Sequence, residues 1–452
     1  MDASFARSTQ RFKAEDSARG PSLRSNVQWT IVSYIAYGAC QWLMLIAVAR
    51  FGLPEMVGQF ALAMAVTTPI ILLIGLDLRA VQVTDQSNQY QFADFLSLRI
   101  ATLCVAMIVI GLLSVGYGYR GERLLLIVVM GIAKCIEAVS DLCHGTLQQY
   151  EQFDKMAKAR ILRGVLGLLA LAAGLYLFQS LVLATAMMAL VWTGVLLWHD
   201  WPLLFDVLPQ DQWSISLWRF RQKDFWRLLV VAIPTGVLGC QASLEQSLPR
   251  LYVDRYLGER ELGIYSAVSS LIIAVMMIVN AVHCAVLPRI AKHVTDGQWG
   301  STWSLLVKLS FFGAILGGIS IVAVAVCGDW FLEVAFGSAY SEQSSLLTVL
   351  TVSATIRYIT LPLSIGFRAA RHFWVLVVLQ TISMTAAAPI VVVLIQKHGA
   401  IGGAYGTVAL SLSFAIIQVP AALWYLRPNG SSRVLNETPV GLGLHSETRD
   451  AA

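Results

Sequence analysis

Between Gly131 and Gln149 the chain reads GIAKCIEAVSDLCHGTLQQ, placing Lys134, Glu137, Asp141 and His144 directly after an apolar run of Leu, Ile, Val and Met. On a helical wheel Lys134 and Asp141 fall two turns apart on nearly one line, and Glu137, His144 and Gln148 lie within about 80° of it. Such a stripe could do one of several things. Lys134 and Glu137, at i and i+3, can neutralise each other as a structural pair. Because one lysine cannot neutralise both Glu137 and Asp141, a carboxyl left over could take up a proton or hold a cation. A charge at mid-bilayer costs about 2.5–3.5 kcal/mol or more on insertion scales, so the stripe must face protein or water rather than lipid.

Other ionisable side chains stand in similarly apolar surroundings. Arg357 sits beside Tyr358, Thr360 and Pro362 in an apolar stretch. A guanidinium cannot shed its charge by losing a proton, so it requires an anion. Glu137, Asp141 or Glu245 could supply that anion, and so could the phosphate of a substrate, which a planar fork suits well. Gln241 and Glu245 share a helical face that ends at Pro249 and Arg250, while Ser33, Tyr37 and Gln41 share another that ends at Arg50. Arg50 and Arg250 are either snorkelling cations at helix ends or attractors for an anionic substrate. His283 and Asn280 read as interhelical hydrogen-bonding groups.

The solvent around these groups follows from composition. Hydrophobic residues make up 57% of the chain, charged residues only 13%, and the mean hydropathy is +0.68; soluble domains carry roughly 25% charged residues. This is an all-α polytopic membrane protein. The cysteines lie in apolar stretches with no paired spacing, which suggests neither disulfides nor a zinc site, and no cofactor is expected. The polar leader, with Arg7, Arg11, Lys13, Arg19 and Arg24, has no small-residue cleavage site after the first apolar run, so it reads as a cytoplasmic tail before a retained helix.

Given about 20 apolar residues per crossing, turn and charge punctuation marks about twelve spans, near 27–49, 57–77, 96–116, 123–147, 161–179, 181–199, 227–249, 262–287, 303–327, 344–366, 373–395 and 400–425. Only Gln179 and Ser180 separate the fifth from the sixth, implying a tight hairpin. Most of the 32 basic residues fall in segments on the side of the N-terminus, so both termini are expected in the cytoplasm and the protein in the inner membrane. The organisation expected is a tail at 1–26, a six-helix lobe at 27–199, an interfacial linker at 200–226, a second six-helix lobe at 227–426 and a disordered tail at 427–452. In the linker, Trp201, Trp213, Trp218 and Trp226 mix with Arg219, Arg221 and Lys223, a composition suited to the headgroup level.

The halves also resemble each other. ARFGLPEMVGQFA (49–61) aligns without gaps with DRYLGERELGIYS (254–266) at a shift of 205, matching Arg50 with Arg255, Gly58 with Gly263 and Phe60 with Tyr265. Two like-oriented lobes imply a pseudo-two-fold axis along the membrane normal with a central cavity between them, as in alternating-access transporters. No P-loop, H-E-x-x-H or G-x-S-x-G occurs, so the chain is not its own ATPase and carries no such hydrolytic site.

The segments GLDLRAVQVTD (75–85), IEAVSDLCHGTLQQYEQFDKMAKARILRG (136–164), SLEQSLPRLYVDRYLGERELGIYSAV (243–268) and QWLMLIAVARFGLPEMVGQFALAMAVTTPI (41–70) resemble bacterial polysaccharide-biosynthesis proteins of the O-antigen translocase type, within the multidrug/oligosaccharidyl-lipid/polysaccharide exporter superfamily. The resemblance implies a two-lobed flippase for undecaprenyl-pyrophosphate-linked oligosaccharide, not an enzyme, driven by an ion gradient. It implies that Arg79 and Asp85 belong to a cytoplasmic loop signature, Glu137, Ser140, Asp141 and Gly145 to a fourth-span signature, and Pro249, Arg250, Gly258 and Gly263 to an outer-turn signature. On this reading Arg357, Lys134, Arg50 and Arg250 attract the pyrophosphate, while Glu137, Asp141 or Glu245 exchanges the coupling proton. The expected partners are the lipid-linked glycan, membrane lipid and polysaccharide polymerase or export proteins, with no nucleic acid. A cation or drug antiporter of the same superfamily is the main alternative, and a membrane polymerase or glycosyltransferase a more distant one.

Overall fold

The computed structural model describes residues 23–85, 90–208 and 222–427. Of the expected tails and interfacial linker, residues 1–22, 209–221 and 428–452 lie outside the described residues, while the two ends of the linker, at 201–205 and 222–226, are helical. The first half runs α1 (Leu23–Phe51), α2 (Pro54–Gly75), the short α3 (Leu78–Thr84), α4 (Phe92–Gly116), α5 (Gly121–Gln149), α6 (Phe153–Phe178), α7 (Leu181–Val195), a π-helical turn (Leu196–Asp200) and α8 (Trp201–Phe205). The second half runs α9 (Gln222–Leu257), α10 (Glu259–Thr295), α11 (Trp299–Phe336), a 3-10 turn (Ser338–Gln343), α12 (Ser344–Ala369) and α13 (Phe373–Tyr425).

Among the described residues ten helices are long and apolar enough to cross a membrane, and two features bring the count of spans to twelve. The charged stripe makes α5 too polar to be among the ten, although at 29 residues it is ample in length to cross. Conversely, α13 has 53 residues, roughly 80 Å at helical rise against a hydrocarbon core of about 30 Å. It is broken at Gly399, whose φ of 66° and ψ of −142° reverse the chain and make two spans of one apolar run. At the close junction of α6 and α7, Gln179 adopts the left-handed conformation (φ 49°) and Ser180 accepts a hydrogen bond from the Leu183 amide. The tight hairpin expected there is present.

Each half packs as a lobe, and the lobes meet along α1 and α2 of the first and α9 and α10 of the second. For orientation, the end bearing the junctions at 52–53, 117–120 and 258 is here called outer, following the distribution of basic residues. At the outer end the repeat detected in the sequence becomes a contact. A Cβ on Gly58 would run into the carbonyl of Glu259 and the amide of Gly263, while one on Gly263 would run into the carbonyl of Pro54 and the amide of Gly58. Pro54 and Glu259 are themselves related by the shift of 205, so the two glycines sit across the pseudo-two-fold axis and let α2 and α10 touch backbone to backbone.

The largest apolar cluster is shared there, passing from Val57 and Phe60 to Leu262 and Tyr265. Toward the inner end the core divides. One cluster lies in the first lobe around Leu78, Phe95 and Leu142 with Leu228 and Ala232 of α9, and another lies in the second lobe around Ile290, Phe367 and Leu376. Where α2 ends, Leu76 turns left-handed (φ 63°) and its freed carbonyl accepts from Thr235 Oγ1 at 3.0 Å. Outward-facing apolar side chains such as Ile108, Leu112, Leu190 and Val326 remain exposed, as a lipid-facing surface requires.

Candidate functional site

The stripe on α5 forms the centre of a charge network within the first lobe. Lys134 Nζ donates to Glu137 Oε2 at 2.8 Å, and Tyr37 of α1 donates its hydroxyl to Glu137 Oε1. Gln41 then donates to the Tyr37 hydroxyl at 2.8 Å, so the polar face of the first span meets that of the fourth. Arg163 of α6, wholly buried, lies 3.7 Å from Glu137 and donates to Asp141 Oδ1 at 3.4 Å. Its guanidinium also faces the Tyr37 ring at 5.1 Å and the Trp192 ring at 5.9 Å, contacts that stabilise a desolvated cation.

Arg79 of α3 closes the network from the inner side. It donates to Gln148 at 2.9 Å and stands 3.9 Å from Asp141. Gly145 on α5 permits this approach, since a Cβ there would collide with Gln82 and press on Arg79. Asp85 accepts from the Tyr90 amide at 3.1 Å through its side chain and from Gln149 of α5 at 3.2 Å through its backbone carbonyl. The expectation that a stripe carboxyl is left without a cation is corrected by Arg163 and Arg79, which stand with Lys134 around Glu137 and Asp141.

In the second lobe Arg357 finds its anion in Glu245, among the alternatives open from sequence. The pair is bidentate, with Nε to Oε1 at 2.6 Å and Nη2 to Oε2 at 2.8 Å, both side chains largely buried. The guanidinium also faces the Phe414 ring at 4.7 Å, and its Nη1 is buried with no hydrogen-bond partner among the described residues. Arg250, half-buried on α9, donates to Ser269 at 3.4 Å and has no carboxylate within 4.0 Å among the described residues. Arg50 donates to the carbonyls of Glu333, Val334 and Ala335, neutralising the C-terminal end of α11 across the lobe boundary. His283 departs from the expected hydrogen-bonded role: it is buried, and both ring nitrogens lack a partner among the described residues.

The residues thus fall into two groups and an outer rim. Lys134, Glu137, Asp141 and Arg79 come together in the first lobe, Arg357 and Glu245 in the second, while Arg50 stands at the rim. Sequence reading missed Arg163, whose helix begins at Phe153 rather than near residue 161 and so carries the arginine inside the lobe. It also missed Asp200, fully buried in the π-helical turn, and Arg99, buried on α4 and donating to the Gly75 carbonyl at 2.6 Å.

Comparison with known proteins is consistent over the chain's length. A family model described as polysaccharide biosynthesis protein matches residues 23–294. A capsular polysaccharide biosynthesis protein, CapF, of Staphylococcus aureus is 26% identical over 72% of this chain and 80% of its own length. The teichuronic acid biosynthesis protein TuaB of Bacillus subtilis is 22% identical over 65% of this chain and 59% of its own. Among solved structures, an inward-facing multidrug resistance MATE family transporter of the MOP superfamily superposes with a TM-score of 0.62 at 14% identity, covering 93% of this chain and 97% of that one. A MOP superfamily transporter from Pyrococcus furiosus, described as having a binding pocket of reversed polarity, gives 0.62 at 14% identity over 91% of this chain and 96% of that one. At these identities the structures establish a shared fold.

Proposed function

The chain belongs to the polysaccharide biosynthesis protein family, a multi-pass membrane protein with a transporter's fold, and from that premise we propose that it flips a polyprenyl-pyrophosphate-linked oligosaccharide across the cytoplasmic membrane. The product would feed assembly of a surface polysaccharide, with polymerase and export proteins as downstream partners and both termini in the cytoplasm. The observation that carries this reading is the Arg357–Glu245 pair, a guanidinium held by one carboxylate at membrane depth, with its Nη1 buried and without a partner among the described residues.

Two oxygens of a tetrahedral phosphate can accept the same pair of parallel N–H bonds as the carboxylate, and a pyrophosphate carries more charge, so it can take Arg357 from Glu245. Glu245, released from its cation, is then the group proposed to carry the coupling proton. Substrate binding and proton uptake become linked, and losing the proton restores the pair and expels the anion. Arg250, which has no carboxylate within 4.0 Å among the described residues, and Lys134 add positive charge on the approach, with Arg50 at the outer rim. In the first lobe Glu137 and Asp141 are the further candidates for proton exchange. Rocking of the first lobe against the second about the α2–α10 contact would alternate access.

The decisive experiment is translocation of a fluorescent polyprenyl-pyrophosphate glycan into proteoliposomes. Transport is expected to fall at least about tenfold in Arg357→Ala, in line with loss of a charge-assisted contact of about 1.5–3 kcal/mol. Unchanged transport in that variant would remove Arg357 from substrate binding, and indifference of the wild type to an imposed pH gradient would remove the proton. Transport of an organic cation but not of the glycan would favour the antiporter.

A further inference from the structure

Behind the first-lobe network lies a second row of ionisable groups that the function above does not use. His199 Nδ1 is 3.4 Å from Asp200 Oδ1; Asp200 Oδ2 is 3.5 Å from His144 Nε2; His144 Nδ1 is 3.7 Å from Asp141 Oδ1. The two ends of the row are partly exposed, each side chain at 34%, whereas Asp200 and His144 in the middle are at 0%. Local backbone creates this arrangement. The turn Leu196–Asp200 is π-helical, and its extra residue per turn rotates Asp200 into the lobe while Leu197 and Trp198 stay on the exposed side.

The surroundings make the row distinctive. Leu142, Cys143, Leu196 and Leu204, all buried, form an apolar wall around its middle. Among the described residues no lysine or arginine lies within 4.0 Å of Asp200; its neighbours are the two imidazoles and the hydroxyl of Ser140, which donates to Oδ2. His144 receives Asp141 on its own helix and Asp200 from the π-helical turn, and neither ring nitrogen makes a closer hydrogen bond. The cations nearby, Arg79 from α3 and Arg163 from α6, are turned to Asp141 rather than to the imidazole. Among the described residues the ion-pair contacts of this buried carboxylate within 4.0 Å are both histidines, with Arg163 acting on it from farther away; a carboxylate so placed is a poor static anchor and a good proton carrier, since each imidazole can both accept and donate.

We propose that His199, Asp200, His144 and Asp141 form a proton relay that connects the inner periphery of the first lobe with its charge network. An imidazolium at His199 gives its Nδ1 proton to Asp200 Oδ1. The Asp200 carboxyl turns about its Cβ–Cγ bond and delivers that proton to His144 Nε2, and His144 releases its Nδ1 proton to Asp141 Oδ1. In sum one N–H bond is broken at His199 and one O–H bond is formed at Asp141, with no electron transfer and Asp200 and His144 returned to their charge states; His144 is left as its Nε2–H tautomer, and passage of the proton back along the row restores the Nδ1–H form. The wall excludes water, so the side chains themselves are the route. This deepens the proton-coupled reading of the function and rests on it, naming the path by which the proton reaches the network.

The test is time-resolved infrared spectroscopy of the full chain in lipid nanodiscs after a downward pH jump. The carboxylic acid band of Asp141 is assigned by its loss in Asp141→Asn. In Asp200→Asn and His144→Gln that band is expected to rise about a hundredfold more slowly, the lower end of the loss when a positioned proton-transfer group is removed. His199→Gln, at a partly exposed position, provides a slowed variant with little risk to folding, and His398→Gln, outside the row, keeps the wild-type rate. A purely structural Asp200 would lower thermal stability and leave the rate unchanged; a wild-type rate in Asp200→Asn and His199→Gln, or no Asp141 band at all, overturns the relay. Glycan transport indifferent to a pH gradient, with band kinetics still slowed in the variants, would reject proton coupling of transport and leave the relay standing.

Discussion

The Arg357–Glu245 pair shows how much a single buried charge depends on its partner. Both side chains are more than four-fifths buried, at 11% and 16% exposure, and the bond is bidentate. Deleting one partner strands the other, at a cost of about 3–5 kcal/mol. Arg357→Ala and Glu245→Ala are each expected to lower the thermal midpoint of the detergent-purified protein markedly, whereas the double variant should lose less than the sum, because neither charge is then stranded. Additive losses would show that the pair is not coupled. Arg357 was conspicuous in the sequence as a guanidinium within an apolar span, but its partner was not, because Glu245, Glu137 and Asp141 were equally admissible. Arg163 was hidden for the opposite reason: Lys155, Lys158 and Arg160 just before it make its helix read as a cytoplasmic loop until well past its true start at Phe153.

At the scale of elements, the twelve spans were legible because apolar runs of about 20 residues have few alternatives to a crossing helix. The charge stripe on α5 and the Gln179 turn were legible too, the first from 3.6-residue periodicity and the second from chain length alone. The π-helical turn at 196–200 was not, since the insertion of one residue into an apolar helix leaves no mark on composition. Gly399 is the sharpest case of an element defined by one residue. Its φ of 66° with ψ of −142° lies outside even the left-handed helical region, so asparagine should serve no better than alanine there. Gly399→Ala and Gly399→Asn are both expected to destabilise the second lobe by about 1–3 kcal/mol, read as a drop in thermal midpoint. Rescue by asparagine would mean that the backbone at this position relaxes into the left-handed helical region.

For the molecule as a whole, the arrangement of contacts between lobes says which end opens at less cost. The outer end is joined by the Gly58–Gly263 backbone contact, a shared apolar cluster, Arg50 on the carbonyls that end α11, Arg123 paired with Glu259, Gln59 donating to Glu259 at 3.1 Å and Tyr119 donating to Asp254 at 3.1 Å. At the inner end the core is divided and the lobes are joined chiefly where α9 crosses the end of α2. Outer opening must therefore break this clasp. Burial, and then the Asp254 carboxylate, push the Tyr119 phenol above its ordinary range. Its folded value is raised, so the bond is fully present below the ordinary phenol value of about 10 and is lost only as pH rises beyond it. The clasp should accordingly be insensitive to phenol ionisation at neutral pH, whatever the protons elsewhere do. Losing one such hydrogen bond is worth about 1 kcal/mol, or roughly a fivefold change in the ratio of outer-open to outer-closed molecules. Spin labels at the exposed positions Tyr117 and Arg260, one on each lobe, should report longer distances in a larger fraction of molecules for the combined variant Tyr119→Phe and Arg123→Ala. An unchanged distance distribution would mean that the glycine contact and its apolar surround alone hold the outer end closed, and Gly58→Leu, which forces α2 from α10, would then be the variant that opens it.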